Sequence, residues 1–593
     1  MSDMFSAAVD NHRAGRLANA DLGYRRVLAA MPSHAGAMIM RGLHHADLDR
    51  DADGLTMLQR VLVAEPQHAD CLANCAFVLV KLGRFDRAIR AGHAALAVAP
   101  SLVAGSINLA TALLRKGYYP AAAAWLIRAG AVRPGQPQAL ANLGAIHLAA
   151  HQWAAAEQEF SRLLAVDPAN QTALQQIALA LHHQGKTDDE IAVLERLLER
   201  NSDQPEAHFA LRVALRARGL PEGRRGRQSE LARRHAALAR QHEAKGLLLQ
   251  AVEEYGRAIA FAPEEAALHE ALERLVRIGL DGLEHTEMPE ESRTGAWFAC
   301  SLARALAAYR RAVLSPPPHA AARPRLYDYF TFFNEFELLD IRLAELADHV
   351  DGFVLVEAGW TNRGDPKPLF FEENKHRYEA YADKIRHIVL TEKRSAIAAQ
   401  QFVHQKNYGL DALASCADWD LVVVADVDEI PRPAALQRYR EQYAGRWDVA
   451  RLSMELYQYF LNARTFRRWN GAAILPCGLA RLVTPMGAQI IAGQPNLGLT
   501  VADAGWHFTW MGGVERVLTK LKSFGHKELD TPAVNNAAVI EARLARRENA
   551  IDQTGAFTGH FGTLELVDVD DRFPRALRER EAQLRAAKFL AAR

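Results

Sequence analysis

The segment DLVVVADVDEIP (420–431) starts as a wholly apolar run and ends in acid. A run this short, rich in valine and closed by a turn signal, reads as a strand covered on both faces. Side chains alternate along a strand, so residues i and i+2 share a side. At the end of the strand Asp426 and Asp428 therefore address one point. Paired carboxylate oxygens suit a hard divalent cation, Mn²⁺ or Mg²⁺. A cation there holds a diphosphate and stabilises the charge that builds on it as it leaves. A capped strand end or a salt-bridge cluster gives the same pattern without a ligand.

On either side the periodicity supports an α/β domain. Further short β-rich runs lie at 326–333, 352–358, 387–391 and 450–460, with helical stretches at 335–348, 372–383, 397–416 and 433–444. Strands alternating with helices predict a largely parallel sheet, whose ligands bind beyond the carboxyl ends of the strands. Polar clusters follow several of these strands. Asn334 and Glu335 follow the first, Glu357 ends the second, and Lys367 lies in a loop between prolines. Lys406 and Asn407 sit on the helix before Asp426. His507 stands between Trp506 and Trp510 in GWHFTWMGG (505–513), as a third metal ligand or a half-buried core histidine. Lys520 and Lys522 lie on a following helix face, where they neutralise a diphosphate.

The first half of the chain is a repeat. Pro32, Pro66, Pro100, Pro134 and Pro168 recur every 34 residues. Small residues keep the same period at Ala8, Gly42, Ala76, Ala110, Gly144 and Ala178, and at Ala20, Gly54, Ala88, Ala122 and Ala156. Small residues let two helices approach closely, glycine fits the turn between them, and proline stops the second helix. The pattern resembles the tetratricopeptide repeat. It predicts an array over 1–215, with further helical repeats at 216–282 after a phase break and a helix-bearing linker at 283–325. Such arrays present a concave face to peptides or proteins, or mediate dimerisation.

Whole-chain properties narrow the partners. Lys+Arg total 71 and Asp+Glu 70, a net charge of +1, which gives no electrostatic case for a nucleic-acid partner. No run is long and apolar enough for a membrane span, and the N-terminus lacks the order of a signal peptide. Five scattered cysteines, Cys71 and Cys75 among them as core packing, suit a reducing compartment. The expectation is a cytoplasmic protein, or one peripheral at the inner membrane face.

Several blocks together resemble the family 17 glycosyltransferases, the β-1,4-mannosyl-glycoprotein N-acetylglucosaminyltransferase type. They are FFNEFELLDIRLAEL (332–346), VDGFVLVEAGWTNRGDPKPLFF (350–371), KIRHIVL (384–390), DLVVVADVDEIP, and GWHFTWMGG followed by Lys520, His526 and Glu528. The resemblance implies a GT-A-like, Rossmann-like domain over 326–575, followed by a helical tail at 576–593. It implies a UDP-sugar donor, GlcNAc among the sugars admitted, and an inverting transfer. The family's Asp-x-Asp falls on Asp426 and Asp428, and its Gly-Trp-His on Gly505, Trp506 and His507. Where the family carries an arginine in the helix segment, this chain has Lys406. The family's animal members carry a membrane anchor where this chain has repeats. That contrast favours a bacterial surface polysaccharide, a lipid-linked glycan or a protein as acceptor.

Inversion needs a base for the acceptor hydroxyl. The carboxylates in view are Glu455, Glu429, Glu357 and Glu528. Glu455 is favoured because it lies on the strand after the motif, near Tyr457 and Tyr459. Glu429 points away from Asp428 if the strand continues. Asp426, Asp428 and His507 are the expected metal ligands. Asn334, Glu335, Lys367, Lys406, Asn407, Trp506, Lys520 and His526 are the expected donor contacts. A non-catalytic repeat adaptor and a nucleotidyltransferase are the alternatives.

Overall fold

A computed structural model describes residues 2–591 apart from 49, 220–224, 285–289, 319–322, 362–363, 393–397, 444, 495–496, 524–530, 533 and 548–563. The chain forms two compact units, Met1–Gln184 and Gly185–Arg593.

The first unit is built of antiparallel helix pairs. In the pair Ala35–Asp47 and Asp51–Ala64, a Cβ on Gly54 would meet the Gly42 carbonyl oxygen at 2.5 Å. The small residues at the 34-residue period are thus the points where paired helices touch. Turn glycines such as Gly83 and Gly117 adopt φ of 68° and 79°, which a side chain disfavours. Cys71 and Cys75 are buried free thiols in the helical core.

The second unit begins with more helices, Thr187–Arg200 to Glu290–Val313, and continues into the α/β domain. A seven-stranded sheet contains β1 (Leu326–Phe332), β2 (Gly352–Ala358), β3 (Ile385–Leu390), β4 (Leu421–Asp426), β6 (Ala450–Leu452), β9 (Ala473–Pro476) and β10 (Leu499–Val501). Their order is β10-β6-β9-β4-β1-β2-β3, and β9 alone runs antiparallel to its neighbours. A second sheet contains β5 (Glu429–Pro431), β7 (Met454–Gln458), β8 (Ala463–Trp469), β11 (Gly505–Thr509) and β12 (Glu565–Leu566) in the order β12-β8-β7-β11-β5.

Alternation along β4 feeds two cores. Val422 and Val424 face one, which includes Leu413, Leu479 and Ile491. Leu421, Val423 and Ala425 face the other, with Leu339, Leu343 and Leu436. The first core also takes Phe209, Tyr309, Ala312 and Leu314 from the helices before the sheet. The helix read as part of a linker is therefore packed against the sheet, where the Tyr309 hydroxyl donates to Asp448 at 2.7 Å. The run read as one strand at 450–460 is two strands. Ser453 separates β6 from β7, and its backbone N–H and C=O pair with Val501 and Ala504.

Candidate active site

Arg342 lies beneath the turn that joins β4 to β5. The guanidinium is fully buried against Asp328, to which it donates two bonds of 2.8 and 2.6 Å. Its Nη1 also donates to the carbonyls of Asp426 (2.8 Å), Val427 (3.4 Å) and Glu429 (2.7 Å). The backbone oxygens of the turn are thus drawn inward.

The Asp426 carboxylate accepts from Thr331 Oγ1 at 2.7 Å and lies 2.7 Å from Lys406 Nζ. Asp428 is 6% exposed, with Oδ2 3.4 Å from Lys520 Nζ and Oδ1 3.6 Å from His507 Nε2. Burial would raise its pKa, but Lys520 and His507 hold it well below the ordinary carboxylate value. The Lys520 amine is raised in turn, because Asp428 and Glu335 outweigh its desolvation.

Glu429 pairs with His507 across β5 and β11, so the two share a face. The indole N–H of Trp469 donates to one Glu429 oxygen. The backbone N–H of Asp426 (2.8 Å) and the Gln489 amide (3.4 Å) donate to the other. Gln489 also accepts from Lys406 Nζ, linking the two sides of the turn. Burial, and then the nearby Asp426, push the Glu429 pKa up. The Trp469 ring lies 4.5 Å from the His507 ring. His507 Nδ1 is buried with no hydrogen-bond partner among the described residues. Gly505 lets β11 approach β5 here, since a Cβ would meet the Ile430 carbonyl oxygen at 2.2 Å.

The donor chemistry fits a divalent cation. Asp428 Oδ1 and His507 Nε2, 3.6 Å apart, lie close enough to share one ion. Among the described residues no group of three His, Cys, Asp or Glu side chains is gathered for a metal. Two protein ligands with diphosphate oxygens and water is a normal shell for Mg²⁺. The Asp426 carboxylate stands with Lys406 and Thr331 instead.

A cavity of about 360 Å³ opens beside Lys520, lined in part by Asn334, Glu335, Phe370, Trp510 and Phe589. The Glu335 carboxylate accepts from the backbone N–H groups of Phe333 and Asn334 at 3.3 and 3.1 Å and lies 3.9 Å from Lys520.

The other expected site residues have the following partners, Lys367 lying over two rings that line the cavity. Glu357 is fully buried, and its oxygens accept from the N–H groups of Phe371 (2.8 Å) and Glu372 (3.3 Å), capping a short helix. Lys367 lies 4.0 Å from Glu357, over the rings of Phe333 and Phe370, and burial lowers its pKa. Asn407 accepts from the N–H of Met486 at 3.0 Å. Trp506 and Glu455 are register partners on β11 and β7, on the face opposite His507. The Trp506 indole donates to the Arg572 carbonyl at 3.0 Å, and Glu455 accepts from the Tyr457 hydroxyl at 3.2 Å and lies 3.4 Å from Arg464. Lys522 is exposed. His526 and Glu528 lie outside the described residues. Arg342, Thr331, Trp469 and Gln489 carry no motif of their own. Arg342 was visible only as a charge within the apolar helix FELLDIRLAEL.

The arrangement is an acidic turn at the carboxyl end of a central parallel strand, flanked by two lysines and a histidine. Residues 317–552, within the α/β part of the chain, match the model of glycosyltransferase family 17. Residues 78–137 and 142–205 match the tetratricopeptide repeat. The mouse β-1,4-mannosyl-glycoprotein 4-β-N-acetylglucosaminyltransferase is 25% identical over 232 residues, 34% of this chain and 42% of that protein. The human enzyme of the same name is 26% identical over 223 residues, 32% of this chain and 41% of that protein. The chain thus spans less than half the length of these relatives. Among solved structures, the type IV pilus biogenesis factor PilW aligns with 36% of this chain and 97% of its own, at 18% identity and a TM-score of 0.33. No described helix is long and apolar enough to cross a membrane.

Proposed function

We propose that the second unit transfers a sugar, GlcNAc among the candidates, from a UDP-sugar to a glycan, lipid-linked glycan or protein acceptor, with inversion. The observation that carries this reading is the buried, ionised Asp428 between His507 and Lys520, beside a cavity, within the residues that match family 17.

Asp428 and His507 would hold Mn²⁺ or Mg²⁺, which when bound supplies Lewis-acid stabilisation of the departing diphosphate. Lys406 and Lys520 place two ammonium groups beside the acidic turn, so a diphosphate entering there meets positive charge already in position. Glu335 faces the cavity and is the carboxylate we assign to accept the acceptor's proton. Glu429, with both oxygens engaged by donors, fixes the turn. Glu455, on the opposite face, has no part in the reaction. The repeats would bind the acceptor, a protein partner or a second copy of the chain. Val98, Val132 and Val166, 44%, 49% and 51% exposed at the repeat period, support a contact role.

The test is a nucleotide-sugar panel with Mn²⁺, read as UDP release and as calorimetric binding. Asp428→Asn is expected to lower turnover at least ~100-fold while the protein melts as a folded chain. Undiminished turnover would overturn the assignment. Pyrophosphate release from a nucleoside triphosphate would mark a nucleotidyltransferase, and absence of any nucleotide-sugar binding a repeat adaptor.

A further inference from the structure

We infer that Arg342 is a positioning residue for the acidic turn: its buried guanidinium holds three turn carbonyls so that the Asp428 carboxylate is presented to the ligand while that of Asp426 is held by Lys406 and Thr331. The inference rests on the proposal that Asp428 holds the donor's metal and diphosphate.

The geometry separates this arginine from an ordinary core ion pair. Asp328 lies on β1 and takes two of its N–H groups, so the charge is neutralised and the side chain is fixed. The Phe330 ring lies 4.4 Å from the guanidinium carbon. The remaining Nη1 reaches past the pair to the carbonyls of Asp426, Val427 and Glu429, three of the four residues of the turn. A turn this short has few internal bonds, so an outside donor sets which way its peptides face. With the carbonyls turned inward, the Asp426 carboxylate meets Lys406 and Thr331, and that of Asp428 meets Lys520 and His507. Lysine cannot reproduce this. It carries the same charge, but a single ammonium lacks the planar fork that engages Asp328 and the carbonyls together.

The groups that orient a metal's ligands typically change metal affinity or activity by about 10–100-fold when replaced. Arg342→Lys is therefore expected to bind Mn²⁺ about 10–100-fold more weakly, read by electron paramagnetic resonance of free Mn²⁺ without donor sugar. In turnover well below the melting temperature, kcat is expected to fall by a similar factor while KM for an acceptor changes less than threefold. A purely structural role would lower the melting temperature and leave Mn²⁺ affinity and kcat per folded molecule at wild-type values, and that result overturns the inference. Should Arg342→Lys not fold, Asp328→Asn loosens the same guanidinium with nearly unchanged volume. The same weakening of Mn²⁺ binding is expected, and unchanged binding overturns the inference. Failure of the wild-type protein to bind Mn²⁺ or release UDP would instead count against the proposed function.

Discussion

Asp428 keeps its charge in a setting that should remove it. Its folded pKa lies below the value of about 3.9 for an unfolded aspartate, because Lys520 and His507 outweigh burial. The sign follows from proton linkage: below that unfolded value the unfolded chain binds the proton more tightly, so this contribution to stability is present at neutral pH and is lost as pH falls below about 4. Urea unfolding midpoints between pH 7 and pH 3 should show a shallower acid loss in Asp428→Asn than in the wild-type protein. A Glu335→Gln variant should keep Mn²⁺ binding and lose transfer to acceptor by ~100-fold, measured by product formation. At this scale the sequence disclosed what strand alternation controls. Asp426, Asp428 and His507 stand out because their neighbours are apolar and their spacing is local. Trp469, Gln489 and Arg342 reach the turn from 40, 60 and 84 residues away, and no local pattern marks them. Glu455 shows the limit of parity. Alternation places it with Tyr457 and Trp506, but not which face of the second sheet meets the ligand.

Among the elements, Glu357 shows a polar residue at a strand end put to structural use. It ends β2 as the sequence suggested, yet it is fully buried and holds the first N–H groups of the helix Phe370–Asn374. Glu357→Ala leaves those donors buried without a partner, at a cost of about 1–3 kcal/mol. The expected result is a lower urea midpoint with turnover per folded molecule retained. Of the strands that pair with β4, the seven-residue β1 was legible in its β-rich run, whereas the four-residue β9 was too short to be read. The division at Ser453 was not legible either, because β6 and β7 read as one run and only their partners, β9 and β10 against β8 and β11, send them to different sheets.

Over the whole molecule, the boundary of the family match and the boundary of the core differ. Phe209, Tyr309, Ala312 and Leu314 belong to the core on one face of the large sheet, although they precede the matched residues. A fragment of residues 185–593 is expected to fold and release UDP from the donor, whereas one of residues 315–593 should be insoluble or molten by near-ultraviolet circular dichroism. Tyr309→Phe removes one buried bond to Asp448 and should lower stability by about 1 kcal/mol. The 34-residue period made the repeats plain, but it carries no information on which helices share a core with a sheet made later. The far side of the domain has its own long-range tie. The backbone N–H of Leu461 donates to the Phe589 carbonyl at 2.8 Å, and the Asn462 amide joins Ala591, 129 residues downstream. At ~5–20 residues per second, a ribosome needs roughly 6–26 s to travel from one to the other. For the last 84 residues of that interval, roughly 4–17 s, the strand bearing His507 exists without its cover, so a nascent chain must be shielded before it can be an enzyme.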